Sequence, residues 1–131
     1  MIQSIEIPIA TAELIDKITI LEIKVARFTN PAKTANARAE LSLLLQRRDA
    51  AIRPDPVLNE LTTRLKAINE RLWDLEDEIR ECERRQDFGQ VFVTAARSIY
   101  RTNDERAAVK RDINMTTGSQ LIEEKSYDEG R

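Results

Sequence analysis

The stretch Leu58-Asn-Glu-Leu61-Thr-Thr-Arg-Leu65-Lys-Ala-Ile68-Asn-Glu-Arg-Leu72-Trp-Asp-Leu75-Glu-Asp-Glu-Ile79-Arg-Glu-Cys82 decides the architecture of this chain. Its apolar positions, Leu58, Leu61, Leu65, Ile68, Leu72, Leu75, Ile79 and Cys82, step by three and four without a fault. That spacing puts all eight on one stripe of an α-helix and reads as a coiled-coil seam, a candidate dimer seam. Glu60 with Arg64, Glu76 with Arg80, and Glu81 with Arg85 stand four residues apart in the acid-first order that supports a helix. Asp55-Pro56 supplies the start, an N-cap carboxylate followed by a residue with no amide hydrogen at the first helical position. A helix of about thirty residues is about 45 Å long, more than shorter neighbours can cover.

Upstream, Leu14, Ile18, Leu21, Val25 and Phe28 form the stripe of a first helix, predicted from about Ala12 to Phe28. Thr11 is its expected N-cap, and Asn30-Pro31 its stop. Ile20 and Ile23 fall on nearly the opposite side, so this helix needs cover on two faces, and a second subunit is one source of it. Ala37, Leu41, Leu44, Leu45 and Arg48 mark the inner side of a second helix over about Thr34–Ile52. Downstream, Asp87 is the expected cap of a fourth helix carrying Phe88, Phe92, Ala95 and Ile99. Thr102-Asn103-Asp104-Glu105 has capping-box spacing and predicts a fifth, running through Ala107, Val109 and Ile113 to a stop at Gly118. Ile5, Ile7 and Ile9 alternate with Glu6 and Pro8, which predicts a short N-terminal strand, confined to an edge because Pro8 cannot donate. The expected fold is therefore all-α. It is a helical bundle around a long heptad-patterned central helix, one domain over 1–131, with 1–10 extended and 119–131 a loosely ordered acidic tail.

Composition narrows the function classes. With 34% charged, 41% hydrophobic and only 5% aromatic residues, and three glycines in all, the chain has the make-up of long helices. A net charge of −2 gives no basic excess to displace counterions from phosphates, so no nucleic-acid partner is expected. No apolar run is long enough for a membrane span, and Met1–Glu6 does not read as a secretory signal. The single cysteine, Cys82, cannot form an internal disulfide and lies in an apolar stripe. These features point to a reducing, cytoplasmic location.

The sequence holds no histidine, which removes the commonest general base and metal ligand. One cysteine excludes a thiolate zinc site, no glycine-rich phosphate loop is present, and no cofactor is expected. Asp74, Asp77, Glu78 and Glu81 line one helix face, where hard cations such as Mg²⁺ take carboxylate oxygens. Arg71, Arg80 and Arg84 are interspersed, however, so a solvated, ion-paired face without metal is the expectation. Basic side chains gather near the predicted joint of helices four and five. Arg97, Arg101, Asn103 and Lys110 are the candidates there for an anion-binding site, helped by the free amides of a helix start. Asp104 and Glu105 already complement that helix start, so a closed salt-bridge cluster is the competing expectation. Trp73, beside the seam, is a candidate interface anchor.

Four segments carry a resemblance. Glu13-Leu-Ile-Asp-Lys-Ile-Thr-Ile-Leu-Glu-Ile-Lys24, Leu72-Trp-Asp-Leu-Glu-Asp-Glu-Ile-Arg80, Tyr100-Arg-Thr-Asn-Asp-Glu-Arg-Ala-Ala-Val-Lys110 and Glu123-Glu-Lys-Ser-Tyr127 together resemble a bacterial family of small uncharacterised helical proteins. Some members of that family are associated with polysaccharide-biosynthesis genes, and the likeness covers nearly the whole chain. It implies a single-domain unit without naming a chemistry. The first helix also resembles that of the all-α chorismate mutases through Leu14-Ile15-Asp16 and Arg27, but Ala12 stands where their first arginine is expected.

The expected role is a non-catalytic helical interaction or accessory protein, assembled as a homo-oligomer with a dimer favoured and open to a protein partner. The alternative is a small enzyme or binding protein with an arginine-lined pocket for an anionic metabolite, chorismate-mutase-like at best.

Overall fold

A computed structural model describes residues 3–126. It contains four helices, α1 (Thr11–Arg27), α2 (Pro31–Ala51), α3 (Pro56–Arg84) and α4 (Gln90–Thr117). The fold is all-α, and no strand occurs among the described residues. Residues 3–10 form neither helix nor strand, which corrects the expected N-terminal strand: no second strand lies alongside, and Pro8 has no amide to offer one.

Local chemistry sets most of the boundaries. Asn30 closes α1 and opens α2: its side chain accepts from the Ala32 and Lys33 amides at 2.9 and 3.2 Å, and Pro31 takes the first helical position. The second helix therefore starts at Pro31, three residues earlier than its apolar pattern suggests. Asp55 caps α3 through the Val57 amide at 2.9 Å. At the other end of α3 the Gln86 amide bonds to the Glu83 carbonyl and the Asp87 amide to the Cys82 carbonyl, with Gln86 in the left-handed region at φ 55°. This pair of bonds satisfies the last carbonyls and turns the chain back. Asp87 braces that turn by accepting from the Gly89 amide at 3.1 Å; it does not cap α4, which begins at Gln90.

The predicted break at Thr102 is absent. α4 runs without interruption for 28 residues, about 42 Å, so the expected fourth and fifth helices are one. Thr102 is buried against the rest of the bundle, and a buried threonine on a continuous apolar stripe has no exposed amides to cap. Capping-box spacing is a local signal, and packing along α3 overrides it.

α3 and α4 form a long antiparallel hairpin, and α1 lies across its first half, touching both. α2 packs on α1 alone, which supplies the second cover that the two-faced first helix requires. The core gathers Ala12 and Ile15 of α1, Leu58, Leu61, Leu65 and Ile68 of α3, and Val109 and Ile113 of α4, with Ile52 and Leu72 at its margin. The first four residues of the predicted seam are thus spent inside one chain. Each large aliphatic side chain here contributes about 1.5–3 kcal/mol on burial. α1 reaches along α3 as far as Asp74, whose carboxylate pairs with Arg27 at 2.5 Å. Beyond that point α3 and α4 continue as a two-helix arm. Among the described residues no helix is long and apolar enough to cross a membrane.

The continuity of α4 has a direct test. At a true N-cap, Thr102→Asp would be neutral or stabilising. Inside a packed helix it buries an unpaired carboxylate, and urea titration is expected to show a loss of about 3 kcal/mol or more.

Candidate functional site

The polar centre of the molecule lies where α1, α3 and α4 meet. Asp16 sits on the buried face of α1, 3% exposed, among Ala12, Ile15 and Thr19. Its Oδ1 accepts from the Asn69 side-chain amide at 2.9 Å, and the same amide group reaches Thr19 Oγ1 at 2.9 Å. From α4, Arg106 grips Asp16 with two nitrogens, Nε at 3.2 Å and NH2 closer still. One turn on, Lys110 pairs with Glu13 and stands 3.8 Å from Asp16 Oδ2. Lys110 is only 9% exposed, yet three carboxylates surround it, the third being Glu123 at 3.4 Å. No buried side-chain nitrogen or oxygen among the described residues lacks a hydrogen-bond partner.

Next to this cluster, residues at the end of α4 cap the start of α1. Ala10, the residue before α1, offers no side-chain cap. The Ala12 amide instead donates to Asn114 Oδ1 at 2.8 Å, and the Thr11 amide to Ser119 Oγ at 3.1 Å. Both acceptors come from more than a hundred residues away, so no local pattern announces them. α4 ends at Gly118, whose φ of 67° suits glycine, and the chain then folds back along the helix. In that returning segment Glu124 pairs with Arg111 at 3.0 Å and Glu123 with Lys125. The part of the acidic tail between 119 and 126 is therefore laid on α4; the remainder, 127–131, lies outside the described residues. Between the segment and the helix runs a cleft of about 800 Å³, lined by Tyr100, Asn103, Arg106, Lys110, Arg111 and Glu123 among others.

Of the four sequence-predicted anion-site residues, Asn103 and Lys110 share this cleft. Arg97 and Arg101 do not. On a continuous helix Arg101 stands nine residues, about 180°, from Lys110, and Arg97 also falls on the far side. Both arginines are exposed. The four would converge only if the chain turned at Thr102, and it does not. Lys110 is already matched by Glu13, Asp16 and Glu123, so the cluster is closed by acids from other elements, not by Asp104 and Glu105. Glu105 pairs instead with Arg71 of α3 at 2.5 Å.

Sequence reasoning missed Asp16, Asn69 and Asn114 as members of the site. For Asp16 a signal existed: it lies at helical spacing within a stripe of Ala12, Ile15, Thr19 and Ile23. For Asn69 and Asn114 none did, since their partners are set by helix packing. Of the candidate α3 carboxylates, Asp74 pairs with Arg27 and Glu81 with Arg84 at 2.5 Å, and Glu76 beside them pairs with Arg80 at 3.6 Å. Among the described residues no group of His, Cys, Asp and Glu could hold a metal ion.

Two outcomes follow from this geometry. Asp16→Ala removes the acceptor shared by Asn69 and Arg106 and leaves charge and amide buried without it, so denaturant melts are expected to show a loss of about 3 kcal/mol. The second concerns pH. Lys125, which hydrogen-bonds Glu123, holds that carboxyl down to about 2, with Lys110 adding its charge and partial burial opposing. A depressed folded-state pKa contributes stability above the ordinary carboxylate range and loses it as pH falls through the folded value. The advantage of the native chain over Glu123→Gln is therefore full at neutral pH, shrinks below its ordinary 4.5 and is gone near 2, as urea titrations across pH would record.

No curated protein and no solved structure matches the chain. A family of unknown function, DUF6165, matches residues 5–130, all but the first four residues and the last. The long helical hairpin, the α1 wedge and the buried Asp16 cluster all fall inside that span, and the chain belongs to this family.

Proposed function

We propose that this protein is a non-catalytic helical interaction protein that pairs with its own copy through the α3–α4 arm. The observation that carries this reading is the apolar surface left along the arm where α1 stops. Leu72, Leu75, Ile79, Phe92 and Ile99 are only partly covered there. Phe88, Val91 and Val93, on α4 and at the tip, are 43–49% exposed. Cys82 and Ala95 are buried within the same arm, so its inner seam is closed while its flanks stay open. At the base of the arm, Ile20, Ile23, Leu72 and Trp73 line a groove of about 400 Å³ that continues the seat of α1. Two such arms laid side by side would make a four-helix bundle and bury these flanks, the usual fate of an amphipathic helix pair. Of the latter half of the heptad seam, the part-covered Leu72, Leu75 and Ile79 are then the residues that serve assembly, while Cys82 is enclosed within the chain. Trp73 anchors the base, with the Arg27 guanidinium 5.9 Å from its ring centre and Phe28 at 6.1 Å.

The competing reading, an arginine-lined pocket for an anionic metabolite, finds less support. Its central cation, Lys110, is neutralised from three sides, and two of its arginines face away. A cytoplasmic location suits the buried free thiol of Cys82.

Light scattering at micromolar concentration is expected to give about 30 kDa, twice the 15.1 kDa chain. Leu75→Glu with Val91→Glu should return the mass to one chain with the helical circular dichroism intact, because neither side chain is buried in the single chain. A native protein that stays monomeric would overturn the proposal.

A further inference from the structure

The two ends of the α3–α4 arm differ in shape and in charge. At the tip, Phe88 and Val91 are each nearly half exposed. Phe88 stands edge-on to Phe92, with ring centroids 5.3 Å apart, so it forms a braced apolar knob. At the base, Ile20 and Ile23 of α1 and Leu72 and Trp73 of α3 line the groove of about 400 Å³, together with Glu76 and Asp77. Knob and groove are both apolar, yet they cannot meet within one chain. From Leu72 to the end of α3 at Arg84 the helix rises by twelve residues, about 18 Å. One copy thus offers both halves of a contact that it cannot make alone.

Charge separates the two ways in which arms can pair. Of the six charged residues in 70–78, five are acidic: Glu70, Asp74, Glu76, Asp77 and Glu78. Residues 79–87 carry three of each sign, and 88–96 carry none. Arms laid in the same direction bring one acidic band beside the other, and like charges so placed cost affinity. Antiparallel arms set each band against the partner's tip. There Arg84 and Arg85 share a single carboxylate, Glu81, at 2.5 and 3.9 Å, which leaves guanidinium donors to spare.

Given the self-association proposed above, on which this reading rests, we propose that two copies pair with their arms antiparallel, the Phe88–Val91 tip of each seated in the groove beside Trp73 of the other. A two-fold axis across the middle of the arms makes both seats at once and closes the assembly at two chains, with no knob or groove left to recruit a third.

Trp73 is the chain's single tryptophan, and it reports directly on the seat. One copy carries Trp73→Phe, Cys82→Ala and Gln90→Cys, the last an exposed tip position bearing a short-range nitroxide quencher. Mixed in excess with the native chain and allowed to exchange, it can quench only the partner's tryptophan. Trp73 is expected to lose most of its fluorescence while light scattering gives two chains. A two-chain mass with Trp73 unquenched would overturn the antiparallel seat and leave self-association standing, whereas a one-chain mass overturns both. Glu76→Lys with Asp77→Lys supplies a second readout, of opposite sign for the two pairings. Antiparallel arms should dissociate about tenfold or more readily, because the new cations face Arg84 and Arg85. Adding Arg84→Glu with Arg85→Glu to the same chain should restore the affinity, with the helical circular dichroism unchanged throughout. Tighter pairing of the lysine variant, as parallel arms require, or an unchanged affinity counts against the proposal.

Discussion

Asp16 is the group on which the arrangement of helices depends. A carboxylate on the apolar face of α1 is costly unless every lone pair is met, and its partners come from two other helices: Asn69 of α3, and Arg106 and Lys110 of α4. Hydrophobic burial alone would let α1 slide or rotate in the groove of the α3–α4 hairpin, because aliphatic contacts are non-directional. The buried charge fixes one register. It sets Ala12 and Ile15 over Leu58, Leu61 and Leu65, and it brings the start of α1 against Asn114 and Ser119. The capping of α1 by Asn114 and Ser119 follows from that register, as does the meeting of Arg27 with Asp74 at the other end.

The same constraint divides the long hairpin. Where α1 lies, both faces of the seam are filled and the side chains are buried. Where α1 ends, the seam narrows to what two helices can close between themselves, and its flanks open to solvent. The buried polar cluster and the open apolar flanks therefore occupy different halves of one element. A polar cluster satisfied within the chain serves the first half, and incomplete apolar cover characterises the second. The returning segment after Gly118 belongs to the first half, resting its acidic side chains on cations that the Asp16 cluster holds in place.

Helices α1, α2 and α3 and two of their caps were legible in the residues, whereas α4 was read as two helices. Asn30-Pro31 and Asp55-Pro56 act through atoms one to three residues away, so spacing is enough to read them. Thr102 was misread for the same reason. Its capping-box partners are local, but the burial that keeps α4 straight comes from α3. The Arg97, Arg101 and Lys110 grouping failed with it, because one continuous helix turns the first two away from the third.

The sequence by itself determined the helical periods, the stops at proline and glycine, and the lack of any histidine, all read from residue identity and from neighbours near in the chain. Tertiary structure decided which polar residues meet. Asp16, Asn69, Arg106, Lys110 and Asn114 are drawn together only when three helices pack, since a buried charge selects its partners by direction and distance, and neither is written in spacing along a chain.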